Sequence, residues 1–214
     1  MPFPIILSSP SGGGKTTIAH KLLAERSDVG YSVSCTTRPP REGEVDGRDY
    51  RFLSLEEFKQ GRGARKFAES AEVHGHLYGT LRAEVDRVLS SGKHVIMDID
   101  VQGAKQFAAA FPESVLIFIL TPSADVLVER LKARGTEDLK SLIRRFRSAK
   151  DELKAIDFYP YVVVNDQVDS AVAAISSIID AERSKRSRNG ALDARVKALV
   201  DGIQRAIDHY SARK

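Results

Sequence analysis

The chain has 214 residues, 42% of them hydrophobic, enough to bury one core, and no apolar run approaches the length of a membrane span. One cysteine, Cys35, excludes an internal disulfide and suits a reducing cytosol, and the five histidines show no metal-ligand spacing with it. Net charge is +4, yet residues 182–214 alone hold nine Lys or Arg against four acids, so the basic balance belongs to the tail and predicts no nucleic-acid face on the body.

The apolar run Phe3–Leu7 predicts a first strand, and no basic stretch precedes a longer apolar one as a secretory leader would need. Ser8-Ser9-Pro10-Ser11-Gly12-Gly13-Gly14-Lys15-Thr16-Thr17 follows, and then a helical segment, Thr16–Glu25. Strand, glycine-rich loop and helix in that order form a phosphate loop. Small residues let successive N–H groups wrap an anion ahead of a helix N-terminus, Lys15 reaches outer phosphates, and Thr16 offers a hydroxyl to Mg²⁺. Ser9 stands where the pattern usually has its first glycine. Pro10 pushes Ser9 to extended backbone, open to any residue, so the loop is expected to survive. The chain is therefore expected to bind a nucleoside triphosphate.

A second strand is expected at Tyr31–Ser34, and residues 34–80 then break the rhythm as an insert with strand-like pieces Tyr50–Leu53 and Phe67–Val73. Arg38 and Arg41, stiffened by Pro39 and Pro40, either clamp a small phosphate or form an ordinary solvated surface. Beyond lie a helix Leu81–Ser90, a strand His94–Ile99 with Asp98 near its end, and a helix Gln102–Phe111. Asp98 is placed as a Walker-B-type carboxylate would be, reaching Mg²⁺ through water, or else is a turn residue.

Strands Val115–Leu120 and Tyr161–Val164 complete a set of short, near-continuous apolar runs, the mark of strands covered on both faces. Helices are expected at Ala124–Ala133, Leu139–Ile156 and Asp169–Arg183, so the body reads as one α/β domain with a parallel sheet. Residues 130–150 carry arginines around Gly135, more like a mobile cover than core. Residues 183–190 read as a linker. Leu192, Val196, Leu199, Ile203, Ile207 and Tyr210 then recur at helical spacing as an amphipathic helix that packs on the body, pairs with another subunit or meets a partner helix; lipid or nucleic acid is the minor alternative.

Three strings appear in order: Thr36 to Glu44 fits T-T-R-x-P-R-x-G-E, Phe67 to Thr80 fits F-x-E-x-A-x-x-x-G-x-x-Y-G-T, and Asp98 to Gly103 fits D-I-D-x-Q-G. Together with the phosphate loop they resemble the guanylate kinase family from about residue 3 to 184. His76 and Leu77 depart from its usual Asn and Tyr. The resemblance implies a P-loop NTPase-type, five-stranded parallel sheet with flanking helices, the core being 1–33, 92–129 and 151–184. It implies a GMP-binding α/β insert at 34–91 and a helical lid at 130–150, with 185–214 outside it. The implied reaction moves the γ-phosphoryl of ATP to GMP, with Mg²⁺ as cofactor, in a cytoplasmic setting. Ser11, Gly12, Gly13, Gly14, Lys15, Thr16, Thr17 and Asn165 are implied for ATP, and Thr16 with Asp98 (through water) for the metal. Arg38, Arg41, Tyr50 and Tyr78 are implied for the GMP phosphate, and Ser34, Glu69, Thr80 and Asp100 for guanine. Lys15, Arg130, Arg134 and Arg145 are implied to neutralise charge on the transferred group.

Carboxylates accept from the guanine N1–H and 2-amino group, while Ser or Thr hydroxyls donate to O6, which suits those four residue types. Two rivals remain at this stage. A non-catalytic binding module of the same fold typically loses the loop and lid arginines that this chain keeps. A ribose 1,5-bisphosphate kinase has no base to read.

Overall fold

β1 (Pro4–Ser8) is buried along its whole length, as a strand with only apolar side chains before Ser8 requires. It lies at the centre of a parallel sheet of order β2-β7-β1-β8-β9, formed with β2 (Val29–Tyr31), β7 (His94–Asp98), β8 (Val115–Leu120) and β9 (Tyr161–Val164). The structure is a computed structural model that describes residues 1–73, 75–133 and 139–212. Arg134, expected in the arginine-rich cover, lies outside the described residues. The chain divides into two compact units, Pro2–Ser176 and Ser177–Lys214 with Met1.

In the larger unit, β1 pairs with β7 on one side and β8 on the other, with Leu7 opposite Asp98 and Ile117. The connection from β1 goes through α1 (Lys15–Glu25) to β2 at the far edge, so the order reverses at β1. Ligands of open parallel sheets sit outside the carboxyl ends at such a point. α4 (Val101–Ala110) follows β7, α5 (Ala124–Ala133) follows β8, and α6 (Leu139–Leu153) precedes β9. Ile6, Val95, Met97, Phe107 and Phe118 are buried together in the core beneath α3 (Arg82–Ser90) and α4. Leu127, Leu131 and Ala149, with Leu142 and Phe146 beside them, join α5 to α6.

A second, four-stranded sheet of order β4-β3-β6-β5 is built from β3 (Cys35–Thr36), β4 (Arg51–Phe52), β5 (Phe67–Val73) and β6 (His76–Leu81). Cys35, Phe58 and Phe67 form its small core, with the rings of Phe58 and Phe67 stacked at 4.4 Å. Phe58 comes from α2 (Leu55–Gly63), a helix that composition alone did not suggest. Its signal was local: Ser54 and Glu57 form a reciprocal capping box, satisfying two N–H groups of the first turn.

Other boundaries move for physical reasons. β2 ends at Tyr31, not Ser34, because residues 32–36 cross between sheets: Ser32 N–H still donates to Ile96 O, while Ser34 O already accepts from Arg51 N–H. α6 stops at Leu153, and a 3₁₀ turn at Ile156–Phe158 replaces the expected last turn.

The boundary between the units falls within α7 (Val168–Ser184); in the smaller unit its last residues lead to a 3₁₀ turn at Arg186–Arg188 and then to α8 (Leu192–Ser211). Arg188 Nη2 and Lys185 Nζ donate to the Glu182 carboxylate, and the amino group of Met1 donates to Arg188 O at 3.1 Å. On α8, Leu199, Val200, Ile203, Ile207 and Tyr210 are all exposed.

Candidate active site

The loop after β1 is shaped by glycines where no other residue would do. Gly12 and Gly14 have φ of 87° and 93°. A Cβ at Gly13 would lie 2.5 Å from the side chain of Ser9. Ser9, the departure from the usual pattern, is buried and donates its hydroxyl to Pro10 O at 2.8 Å, while Gly13 N–H donates to the same oxygen at 2.9 Å. The loop thus keeps its form around the substitution. α1 begins on Gly14 with no side-chain cap, whereas α2 and α4 are capped by Ser54 and Asp100. Uncapped N–H groups at a helix start are ready for an anion.

One cleft is lined by residues 9–16, Ser34, Tyr50, Glu69, Tyr78, Asp98, Asp100 and Glu152. Segments up to about 140 residues apart in sequence meet there, so most of the expected site residues share one space. At the loop end, Lys15 Nζ donates to Ser9 O at 3.0 Å. Asp98 accepts from Thr16 Oγ1 at 2.6 Å and from the Tyr31 hydroxyl at 2.5 Å. Thr17 is exposed and does not line the cleft.

At the other end, Glu69 on β5 is 5% exposed, and its Oε1 accepts the Thr80 hydroxyl at 2.7 Å. Burial pushes its carboxyl up to about 7, with Asp100 adding and Thr80 opposing. Thr80, expected beside the base, is fully buried, and its hydroxyl donates to Glu69 and so orients that carboxylate. Gly103 makes the room, since a Cβ there would fall 2.7 Å from Glu69 Oε2. Asp100 accepts the N–H groups of Gln102 and Gly103 through Oδ1 at 2.7 and 2.9 Å, which caps α4 and fixes that carboxylate at the mouth of the cleft.

Arg38 sits over the rings of Tyr50 and Phe52, at 5.4 and 5.9 Å, and Tyr50 meets Tyr78 edge-on at 6.0 Å. Burial pushes the Tyr50 hydroxyl up to about 12, so it stays a donor. The guanidinium of Arg38 pairs with Glu44 at 2.7 Å, and Glu44 also takes the Arg41 N–H. The Arg41 side chain is exposed on the same turn.

Of the cover's arginines, Arg130 and Arg145 turn inward on protein oxygens. Arg130 donates to Asn165 O at 3.3 Å; Arg145, buried, donates to Leu131 O at 3.3 Å and to Ser11 Oγ at 3.4 Å. Asn165 was expected to face a base. Its side chain is buried beneath the loop, where Nδ2 donates to Gly13 O at 2.9 Å, and Oδ1 lies buried without a partner. Tyr31, Gly103 and Glu152 were not singled out from the sequence. Gly103 had a signal, the last position of the Asp98–Gly103 string; Tyr31 and Glu152 had none.

The guanylate kinase family model matches residues 1–182. A guanylate kinase of Caldanaerobacter subterraneus is 46% identical over 193 residues, covering 90% of this chain and 94% of that protein. One of Symbiobacterium thermophilum is 45% identical over 197 residues, 92% of each chain. The crystal structure of guanylate kinase from Anaplasma phagocytophilum superposes with a TM-score of 0.76 at 33% identity, over 92% of this chain and 94% of that one. The chain belongs to the guanylate kinase family and is a nucleoside monophosphate kinase, a phosphotransferase.

Proposed function

We propose that the protein transfers the γ-phosphoryl group of ATP to GMP, giving ADP and GDP. What carries the reading is the pairing of ends in one cleft: a phosphate loop with Lys15 at one, and the carboxylates of Glu69 and Asp100 at the other. Two carboxylates suit the N1–H and 2-amino donors of guanine, which adenine lacks in that arrangement. The wrong base would leave them desolvated and unpaired, a penalty worth orders of magnitude in specificity. Arg38, Arg41, Tyr50 and Tyr78 would take the acceptor's phosphate. The sheet inserted between residues 34 and 91 is then the acceptor-binding part, and residues 130–150 the cover over the donor.

The acceptor nucleophile is a phosphate oxygen, already ionised, so no side chain has to remove a proton. Catalysis by this chain is positioning plus charge neutralisation. Lys15 releases Ser9 O to meet the outer phosphates, the N–H groups of residues 12–16 hold the donor, and Arg130, Arg134 and Arg145 neutralise the group in flight. A cover closed over both substrates also keeps water from intercepting that group.

Thr16 and Asp98 suit Mg²⁺: a hydroxyl and a carboxylate, both hard oxygen donors, lie 2.6 Å apart beside the loop. Among the described residues no group of three or more His, Cys, Asp or Glu is set to hold a metal, so the remaining ligands would be nucleotide oxygens and water. When bound, the ion would spread negative charge on the donor's outer phosphates. None of the described helices is long and apolar enough to cross a membrane, and Cys35 is a free, buried thiol, which suits a cytoplasmic enzyme.

The test offers ATP and Mg²⁺ with GMP, dGMP, AMP and ribose 1,5-bisphosphate in parallel. Phosphorylation of the guanine nucleotides alone is expected. Preference for the base-free bisphosphate, or no turnover of any acceptor by well-folded protein, would overturn the assignment.

A further inference from the structure

Glu152 takes no part in the chemistry described above, yet it lines the same cleft as Lys15 and the phosphate loop. It stands at the penultimate position of α6, and its Oε2 accepts the backbone N–H of Ser11 at 3.0 Å. A carboxylate therefore occupies an N–H of the loop that is built to receive phosphate. Burial pushes this carboxyl above the usual glutamate range; the charge of Lys15 and the Ser11 N–H pull the other way, and Asp100 adds to the rise. Arg145, on the same helix, reaches the Ser11 hydroxyl at 3.4 Å. α6 thus holds Ser11 twice, by its backbone through Glu152 and by its side chain through Arg145.

A triphosphate entering this cleft brings like charge against that carboxylate, and both anions draw on the same cationic end. We propose that Glu152 is a positioning residue that stands in for the donor's outer phosphate in the ligand-free enzyme, tying α6 to Ser11 until the triphosphate takes over the loop. The inference rests on the assignment of the loop to a triphosphate donor. It has a definite sign: the stand-in opposes donor binding, and its departure frees the helix that carries Arg145 from the loop.

Glu152→Gln keeps an acceptor oxygen of the same reach and removes the charge; Glu152→Asp keeps the charge and shortens the reach. Dissociation constants for ATP, ADP and AMP are measured by calorimetry on the full chain without GMP, beside thermal midpoints. Glu152→Gln is expected to bind ATP about five-fold more tightly, the magnitude of one moderately screened charge contact. The gain should be smaller for ADP and absent for AMP, and Glu152→Asp should show less of it than Glu152→Gln. Unchanged or weaker ATP binding in Glu152→Gln overturns the proposal, as does an equal change for all three nucleotides, which a purely structural brace would give. Failure of the wild-type chain to bind ATP would instead overturn the donor assignment, so the two failures are distinct.

Discussion

The Lys15 ammonium rests on the carbonyl of Ser9, an interaction that a phosphate can replace at little cost. Lys15→Ala should therefore leave the circular dichroism spectrum unchanged and lower kcat about 100-fold or more, the usual cost of removing a preorganised charge contact to the transition state. Near-wild-type turnover in a coupled ADP-release assay would contradict this. Glu69 makes a prediction with a sign. Its carboxyl is raised to about 7 in the fold, so the folded chain keeps a proton there that the unfolded chain has lost. Stability then falls as pH rises from the usual glutamate value to about 7, and the whole penalty stands above that. Glu69→Gln should be more stable than wild type at pH 8, by about 1 to 3 kcal/mol, and no more stable at pH 4. The same proton must leave before guanine donors can be accepted, so GMP affinity of the wild type should rise up to about pH 7 and level off. In Glu69→Gln only the phosphate's own titration should remain, with GMP binding weakened far more than ATP binding. Titrations of GMP by calorimetry at several pH values check both.

At the scale of elements, the α4–β5 contact sets the room around Glu69 through Gly103. In Gly103→Ala the new methyl would press on Glu69 Oε2, the tip of a side chain held at its other oxygen by Thr80. Steady-state kinetics should show KM for GMP raised about ten-fold with KM for ATP within about two-fold, because a misplaced carboxylate is felt only by the base it reads. Equal changes in both would place the strain elsewhere. The phosphate loop was legible because its chemistry is written in consecutive residues, 9 to 16. The parallel sheet was legible because strands covered on both faces are apolar throughout. Glu69, Asp98 and Asp100 were legible because their strings are distinctive, and the resemblance had already grouped Glu69 with Asp100. Hydrogen-bond partners were not legible at all. Nothing in the string shows that the Thr80 hydroxyl is spent on Glu69, that Asn165 turns under Gly13, or that Glu152 reaches Ser11 from 141 positions away. Those choices are made by packing, which brings distant segments within hydrogen-bond reach. The slip of β2 has the same origin, because residues 32–36 have strand propensity and two sheets compete for them.

At the scale of the molecule, the cleft residues all lie within Pro2–Ser176, while α8 belongs to the other unit and falls beyond residue 182, where the family match ends. A chain ending after Asn189 should keep kcat and both KM values within about two-fold, as loss of an exposed helix far from the cleft residues in sequence predicts. Loss of activity in a still-folded truncation would tie α8 to function. In the proposed reaction a triphosphate and a guanine monophosphate lie end to end in the cleft between Lys15 and Glu69. The most direct measurement incubates purified chain with ATP, GMP and Mg²⁺ and follows the nucleotides by chromatography. ADP and GDP should appear in equal amounts, and AMP in place of GMP should yield no ADP. Absence of GDP from well-folded protein would contradict the account at its centre.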